Sequence, residues 1–391
     1  MEKILKEFLA ESLEKIEAAQ LTRKTICYDK ANLINFTSND YLGLGQKKIS
    51  TLSEPISIGS TGSRITTGTN PIHEELETYL ANWKGTEAAL SFNCGYMANL
   101  GTLGALLNPR DVVFSDELNH SCINEGIRLS GAKKFFYKHN DISHLEELLK
   151  KHRHQSQKAI VVTNTVFSMD GDRARIKEIV ALKDKYEFSI YVDEAHSSGI
   201  YGSNGSGLIK ELIEQGEIKK GDIEIHMGTF SKAVAVEGGY IAGSRDLINF
   251  LKNTAKSFIF TTAFSPLIAK LILENLKEII SDSTPRMKLH KNIKYFREKL
   301  LASKIKKENW SNESTSIFAI RVGDTVATLN AATALLKEGL LVMPIRKPSV
   351  PFPRLRVTLS AMHSEDDIDK LIDCLLKLIS QRGQIETNSS L

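Results

Sequence analysis

Cysteine is scarce, with four residues in a chain of 391, and Cys27, Cys94, Cys122 and Cys374 lie far apart without forming a CxxC pair. That excludes a zinc ribbon, a dithiol redox centre and a disulfide framework, and leaves reduced thiols as the expected state, with no metal centre called for. No stretch approaches the ~20 consecutive apolar residues that span a bilayer, so no membrane segment is expected. Neither sign of charge dominates: 51 Lys and Arg stand against 47 Asp and Glu, a formal net charge of +4. The chain therefore lacks the basic field of a sequence-independent nucleic-acid binder, although small anionic substrates are compatible with it. DEAH at Asp193 to His196 suggests a helicase, but the GxxxxGK[ST] phosphate loop that nucleotide hydrolysis needs is missing. GSNGSG at Gly202 to Gly207 has the wrong glycine order for a dinucleotide loop, and no GxSxG elbow marks a serine hydrolase.

What is present points to a globular α/β protein. Hydrophobic residues make up 41% and charged residues 25%, enough to bury a sizeable core, and the length suits two to three domains or one large unit carrying a smaller one. The N-terminal segment places Ile4, Leu5, Phe8, Leu9, Leu13 and Ile16 at helical spacing among acidic residues. Such acidity disfavours a signal or transit peptide, and a cytoplasmic protein is expected. From about residue 85 to 245, apolar β-branched runs alternate with helix-patterned stretches. Strands are predicted at 88–92, 111–115, 133–137, 159–163, 188–192, 223–227 and 240–243, and helices at 71–83, capped by Asn70, and at 176–186. This alternation implies a mostly parallel sheet covered on both faces, with ligands beyond the carboxyl ends of the strands. The polar stretch Ser281 to Pro285 is the expected boundary with a small α+β unit. That unit is predicted to hold a helix from Lys288, a strand near Ile317, a helix at 326–338, strands at 341–345 and 354–359, and a closing helix whose QIETNSSL end frays. The expected division is an N-terminal helix and arm at 1–45, a large domain at 46–282 and a small domain at 283–391.

Residues after the predicted strands form a polar series: NCGYMAN at 93–99, DELNHS at 116–121, VFSMDGD at 166–172, DEAH at 193–196 and GTFSKA at 228–233. Taken together with SNDYLGLG at 38–45, GSTGSRITTGTNPIHEELE at 59–77 and TLSAMHSEDDID at 358–369, the series resembles the α-oxoamine synthases over nearly the whole chain. These are pyridoxal 5′-phosphate (PLP) enzymes of the aspartate-aminotransferase fold. The resemblance implies fold type I, with a large PLP-binding domain and a small C-terminal α+β domain.

Lys232 follows an apolar strand and small residues, where its amine could reach an aldehyde at the strand mouth and form an imine; burial or nearby cations would lower its pKa enough to make it nucleophilic. Most lysines are simply exposed, and it is the resemblance that assigns this one the cofactor. Asp193 ends the run FSIYV, and the resemblance pairs it with the ring nitrogen, keeping the ring an electron sink. His120 matches the ring-stacking histidine, while His196 and Ser168 match contacts to the phenolic oxygen. Gly95 and Tyr96, where a strand yields to a helix, have backbone N–H groups free for the phosphate, and Thr229 and Ser231 could add hydroxyls. Arg356 matches the arginine that holds the amino acid's carboxylate, a role Arg354 could instead fill. Arg23 sits where relatives face the acyl chain, and Thr261 and Thr262 could reach the phosphate of the other subunit in a homodimer with active sites at the interface.

Two positions depart from the family pattern: Ala235 stands where glycine is usual, and Asn164 where glutamate is usual. A non-catalytic binding module would be expected to have lost Lys232 or Asp193, and both are kept. The substrates implied are an amino acid and an acyl thioester, joined by a decarboxylative Claisen condensation. SNDYLGL and SKAVAVEGGY look most like the branch that makes 8-amino-7-oxononanoate from L-alanine and a pimeloyl thioester, with glycine and acetyl-CoA as the alternative pair.

Overall fold

The computed structural model describes residues 2–19, 21–23, 25–28, 32–48, 55–303, 305–311 and 314–388. Seven strands build the central sheet: β1 Ala88–Phe92, β2 Val112–Asp116, β3 Lys133–Tyr137, β4 Ala159–Asn164, β5 Ser189–Asp193, β6 Ile225–Thr229 and β7 Gly239–Gly243. They lie in the order β1-β7-β6-β5-β4-β2-β3, and β7 alone runs against its neighbours. The sequences VVFSD, AIVVTN and SIYVD of β2, β4 and β5 are almost continuously apolar because both faces of the sheet are covered.

Side chains alternate between those faces. Val113, Val162, Tyr191 and Met227 pack beneath α3 (Gly95–Leu106) and α4 (Ser121–Ser130). Val112, Phe114, Val161, Ile190 and Val192 face the helices Ile142–His152, Ile176–Ala181 and Leu208–Glu214. Each such aliphatic side chain contributes about 1.5–3 kcal/mol on full burial. The period of two also means that Tyr191 and Asp193 share the α3 face, whereas Glu194 turns to the other side.

A second, antiparallel sheet has the order β9-β10-β8, from β8 Ile317–Ile320, β9 Met343–Ile345 and β10 Arg354–Thr358. The single strand predicted at 341–345 is two: Leu340–Leu341 pairs in parallel with Ile34–Asn35, and β9 forms an edge that tolerates Pro344, which has no N–H to give to a ladder. The helix predicted at 176–186 breaks at Leu182, whose N–H bonds back to Ile179 O at 3.1 Å and tightens the turn. α2, Pro71–Lys84, is capped as expected, with Asn70 Oδ1 accepting from Ile72 N at 3.2 Å. The helices Pro266–Ser281 and Thr284–Ala302 meet at the polar stretch, and one continuous core links Phe36, Leu76, Leu273, Phe296, Phe318 and Leu375. That core fixes the second sheet over the strand ends of the first. The closing helix runs Glu365–Asn388, and the rest of the tail expected to fray, 389–391, lies outside the described residues. No helix among the described residues is long and apolar enough to cross a membrane.

Candidate active site

Strand register gathers the polar series at one edge of the sheet. Asn164 pairs with Asp193, and Asp193 with Met227, so the ends of β4, β5 and β6 lie abreast. β1 leads through Cys94 into α3, and β2 leads through His120 into α4. Beyond these ends is a cavity of about 240 Å³ whose walls include Gly95, Tyr96, His120, Asp193, His196, Thr229, Ser231 and Lys232. A larger cavity of about 600 Å³ opens at the opposite edge, among Arg153, Lys158 and Glu224. Two of its charges are engaged, Lys158 with Asp111 and Glu224 with Lys183, and no candidate residue lies there.

Lys232 stands in a turn closed by Ala235 N to Lys232 O, 2.9 Å, and Val236 N to Phe230 O, 3.0 Å. Burial pushes its amine down to about 8; the Arg356 charge works in the same direction and the Asp193 carboxylate against it. Asp193 is held at both oxygens: Ala195 N donates to Oδ1 at 2.9 Å and Asn99 Nδ2 to Oδ2 at 2.9 Å. His196 Nδ1 shares a 2.6 Å hydrogen bond with the Tyr41 hydroxyl. Burial, then the charges of Lys232 and Arg356, hold this imidazole well below its ordinary pKa, and it is neutral. His120 is likewise pushed down by burial. Its Nδ1 lies 3.3 Å from Cys122 N and 2.8 Å from Cys122 Sγ, and burial pushes that thiol up to about 12.

At the start of α3, Cys94 Sγ accepts from Met97 N at 3.5 Å, while the first-turn N–H groups of Gly95 and Tyr96 have no acceptor within the helix. A Cβ on Gly239 would stand 2.6 Å from Gly95 N, so this approach of helix to strand requires glycine. Thr229 Oγ1 is 2.9 Å from Ser231 Oγ. Ala235 has φ +60°, a left-handed conformation costing a residue with a Cβ about 1 kcal/mol, which accounts for the glycine usual there. Asn164 Oδ1 accepts from His120 N at 3.3 Å and so supports the turn into α4.

Arg356 reaches this region from β10. Its Nε donates to Ser168 O at 2.6 Å, Nη1 to Thr358 Oγ1 at 2.8 Å and Nη2 to Asn39 Oδ1 at 3.0 Å. Arg354, two residues earlier, is instead paired with Asp170, and its Nε donates to Phe352 O at 3.1 Å. Arg356 and four other predicted residues are not among the cavity walls. Ser168 meets Arg356 through its carbonyl, and Thr262 O accepts from Asn93 Nδ2 at 2.9 Å, with Thr261 beside it. Arg23 lines a separate groove of about 780 Å³ between α1 (Glu2–Ala18) and β9. The sequence assigned no role to Asn99, Cys122, Asn39 or Tyr41. Asn99 had a readable signal: it follows Gly95 by four residues, about one helical turn, and so returns to the same face. Asn39 and Tyr41 are brought in by contacts distant in sequence, which no local pattern announces.

Residues 31–375 match the family described as aminotransferase class I and II. The chain belongs to that family. A Bacillus cereus (strain G9842) relative, provisionally named 8-amino-7-oxononanoate synthase, is 41% identical over 360 residues, which cover 90% of this chain and 89% of the relative. Among solved structures, a serine palmitoyltransferase variant from S. paucimobilis with bound PLP-myriocin aldimine superposes with a TM-score of 0.84 at 26% identity, covering 96% of this chain and 97% of that one. An 8-amino-7-oxononanoate synthase from Francisella tularensis gives 0.76 at 25% identity, covering 92% and 100%. This member of the family is a PLP-dependent acyltransferase of the 8-amino-7-oxononanoate synthase type. The donor set fits the cofactor: an amine at about 8 for the aldehyde, a doubly held carboxylate for the ring nitrogen, and open N–H groups with the Ser231 hydroxyl for the phosphate, the Thr229 hydroxyl being given to Gly238 O at 2.7 Å. A Cβ on Gly95 would stand 2.9 Å from Met227 Cε and 3.2 Å from Thr229 Cβ, so the start of α3 can lie against β6 and β7 only with glycine there and at Gly239.

Proposed function

We propose that this acyltransferase condenses L-alanine with a pimeloyl thioester, releasing CO₂ and the free thiol and leaving 8-amino-7-oxononanoate, an intermediate of biotin synthesis. The relative's name supports this choice among α-oxoamine synthases. The observation that carries the chemistry is the Lys232 amine, lowered to about 8 in the same cavity as the Asp193 carboxylate.

When bound, PLP supplies a conjugated cationic ring that takes up the electron pair left at the amino acid's α-carbon. Lys232 Nζ anchors the aldehyde and, as the amino acid takes its place, receives the α-proton. An amine near 8 has a substantial unprotonated fraction at neutral pH and still binds a proton well enough to act as the base. Asp193 holds the proton on the ring nitrogen, with its two oxygens already oriented by Ala195 N and Asn99. The N–H groups of Gly95 and Tyr96, with the hydroxyl of Ser231, bind the phosphate. His120 covers the ring, and His196 and Ser168 face the phenolic oxygen. Arg356 takes the amino acid's carboxylate: Ser168 O, Thr358 Oγ1 and Asn39 Oδ1 accept from its three nitrogens, which fixes the orientation of the fork. Arg354, committed to Asp170, is the poorer candidate. Arg23 faces the acyl chain. Thr261 and the exposed Thr262, outside the cavity walls, reach the phosphate of a second copy in a homodimer, which sedimentation of the holoenzyme tests.

Thiol release is followed in parallel from pimeloyl-CoA with L-alanine, acetyl-CoA with glycine, and palmitoyl-CoA with L-serine. The first pair is expected to turn over. Turnover of only the second or third would overturn the substrate assignment while leaving the PLP chemistry intact.

A further inference from the structure

Asn99 is fully buried one turn into α3, and its amide meets several groups of the site. Nδ2 lies 2.9 Å from Asp193 Oδ2 and 3.0 Å from Cys122 Sγ, and Oδ1 accepts from the Tyr191 hydroxyl at 2.6 Å. A carboxylate only accepts, so the amide nitrogen is the atom that must face Asp193, and its oxygen must face Tyr191. Tyr191 is then obliged to donate, and burial, which holds its phenol well above the ordinary pKa, keeps it protonated to do so. Cys122, also a neutral thiol, accepts from Asn99 and directs its own hydrogen to His120 Nδ1 at 2.8 Å. Cys122 N approaches the same nitrogen at 3.3 Å. His120 Nδ1 is thus an acceptor, and the imidazole proton resides on Nε2.

We propose that Asn99 is a positioning residue of the cofactor site: its amide aims the Asp193 carboxylate and, through Cys122, orients the His120 ring, with the Tyr191 hydroxyl fixing which way the amide points. The inference rests on the place given above to Asp193 opposite the ring nitrogen. A donor on a carboxylate stabilises its charged form and lowers its hold on a proton. The Asn99 bond therefore favours keeping the shared proton on the ring. Without the Tyr191 hydroxyl the buried amide oxygen loses its donor, and the amide is held from the Asp193 and Cys122 side alone.

The test compares Asn99→Leu, of similar size but without polar atoms, with Tyr191→Phe, which removes one hydroxyl and keeps the ring. PLP binding to each apoprotein is titrated by fluorescence, and the visible absorption of the bound cofactor is followed against pH. A hydrogen bond to a charged group corresponds to at least about tenfold in affinity, so Asn99→Leu is expected to bind PLP about 10-fold or more weakly, and Tyr191→Phe about 3- to 10-fold more weakly. In both, the pH midpoint of the visible band moves upward, because a less cationic ring lets the Lys232 nitrogen hold its proton longer. kcat falls while KM for the amino acid is little changed. If Asn99→Leu fails to fold, Tyr191→Phe decides. Native affinity and an unmoved midpoint in a folded Tyr191→Phe would overturn the inference. Asp193→Asn separates the two ideas: a spectral change there alone defeats the role of Asn99, and no change there defeats the role of Asp193 and the inference with it.

Discussion

His139 offers a test of how the loops behind the site are held. Its Nδ1 is 2.9 Å from Asp116 Oδ1 and its Nε2 is 2.6 Å from Asp172 Oδ2, so both ring nitrogens face atoms that only accept. Asn140 reinforces the clamp from the same loop, donating from N to Asp116 Oδ2 at 3.0 Å and from Nδ2 to Asp172 Oδ2 at 2.8 Å. The ring must donate twice and is therefore an imidazolium. Burial alone would depress it, but the hydrogen bonds and charges of the two aspartates override burial and raise it to about 10. The rise from the ordinary 6.5 corresponds to about 5 kcal/mol at most. With 21% of the side chain open to water, screening brings the expected contribution to about 2–3 kcal/mol. The folded form binds the proton more tightly than the unfolded chain, so this stabilisation is complete below pH 6.5 and is lost as pH rises toward 10. Urea unfolding of the native protein and of His139→Gln, run in parallel from pH 6 to 10, measures it directly. The native protein should lead by about 2–3 kcal/mol at pH 6, and the lead should shrink by up to about 1.4 kcal/mol per pH unit above 6.5 until it closes. A lead that stays constant with pH would refute the doubly bonded imidazolium.

The remaining predictions concern the same strand ends. PLP uptake by the apoprotein should accelerate as pH rises through about 8, where Lys232 loses its proton, and a rise only near pH 10 would contradict the lowered amine. Glu194 is fully buried against Lys84 and His226; burial raises its pKa, but the Lys84 charge prevails and brings it down to about 2. Its contribution is present above its ordinary value of 4.5 and lost as pH falls toward 2. Glu194→Gln should therefore cost about 3–5 kcal/mol at neutral pH by stranding Lys84, and a loss below about 1 kcal/mol in urea unfolding would speak against it. Gly239→Ala should press on Gly95 N, weakening PLP binding about 10-fold or more with helix content by circular dichroism unchanged. Ala235→Gly should relieve the left-handed strain and raise stability by up to about 1 kcal/mol, read as a higher urea midpoint.

Much of the central sheet was legible because both sources of the signal are local. Apolar runs such as AIVVTN specify a strand covered on both faces, and the polar residue after each run must emerge at the carboxyl edge. That logic, with motif resemblance, was enough to name Gly95, His120, Asp193, His196, Thr229, Ser231 and Lys232, all of which line one cavity. Smaller elements were harder to read: the two strands inside 340–345 go to different sheets, and only their pairing partners decide that.

The sequence by itself determined the order of strands and helices and the chemical types available at the strand ends, because spacing and side-chain chemistry are properties of neighbouring residues. Tertiary structure alone decided which groups act on one another. Arg354 and Arg356 look alike in RLRVTLS, yet one is spent on Asp170 and the other is held by Ser168, Asn39 and Thr358 beside the lysine. The drop of Lys232 to about 8 and the capture of Asp193 by Asn99 arise from burial and from contacts between segments about a hundred residues apart. Desolvation and hydrogen bonding depend on positions in space, and those are fixed only when the core closes.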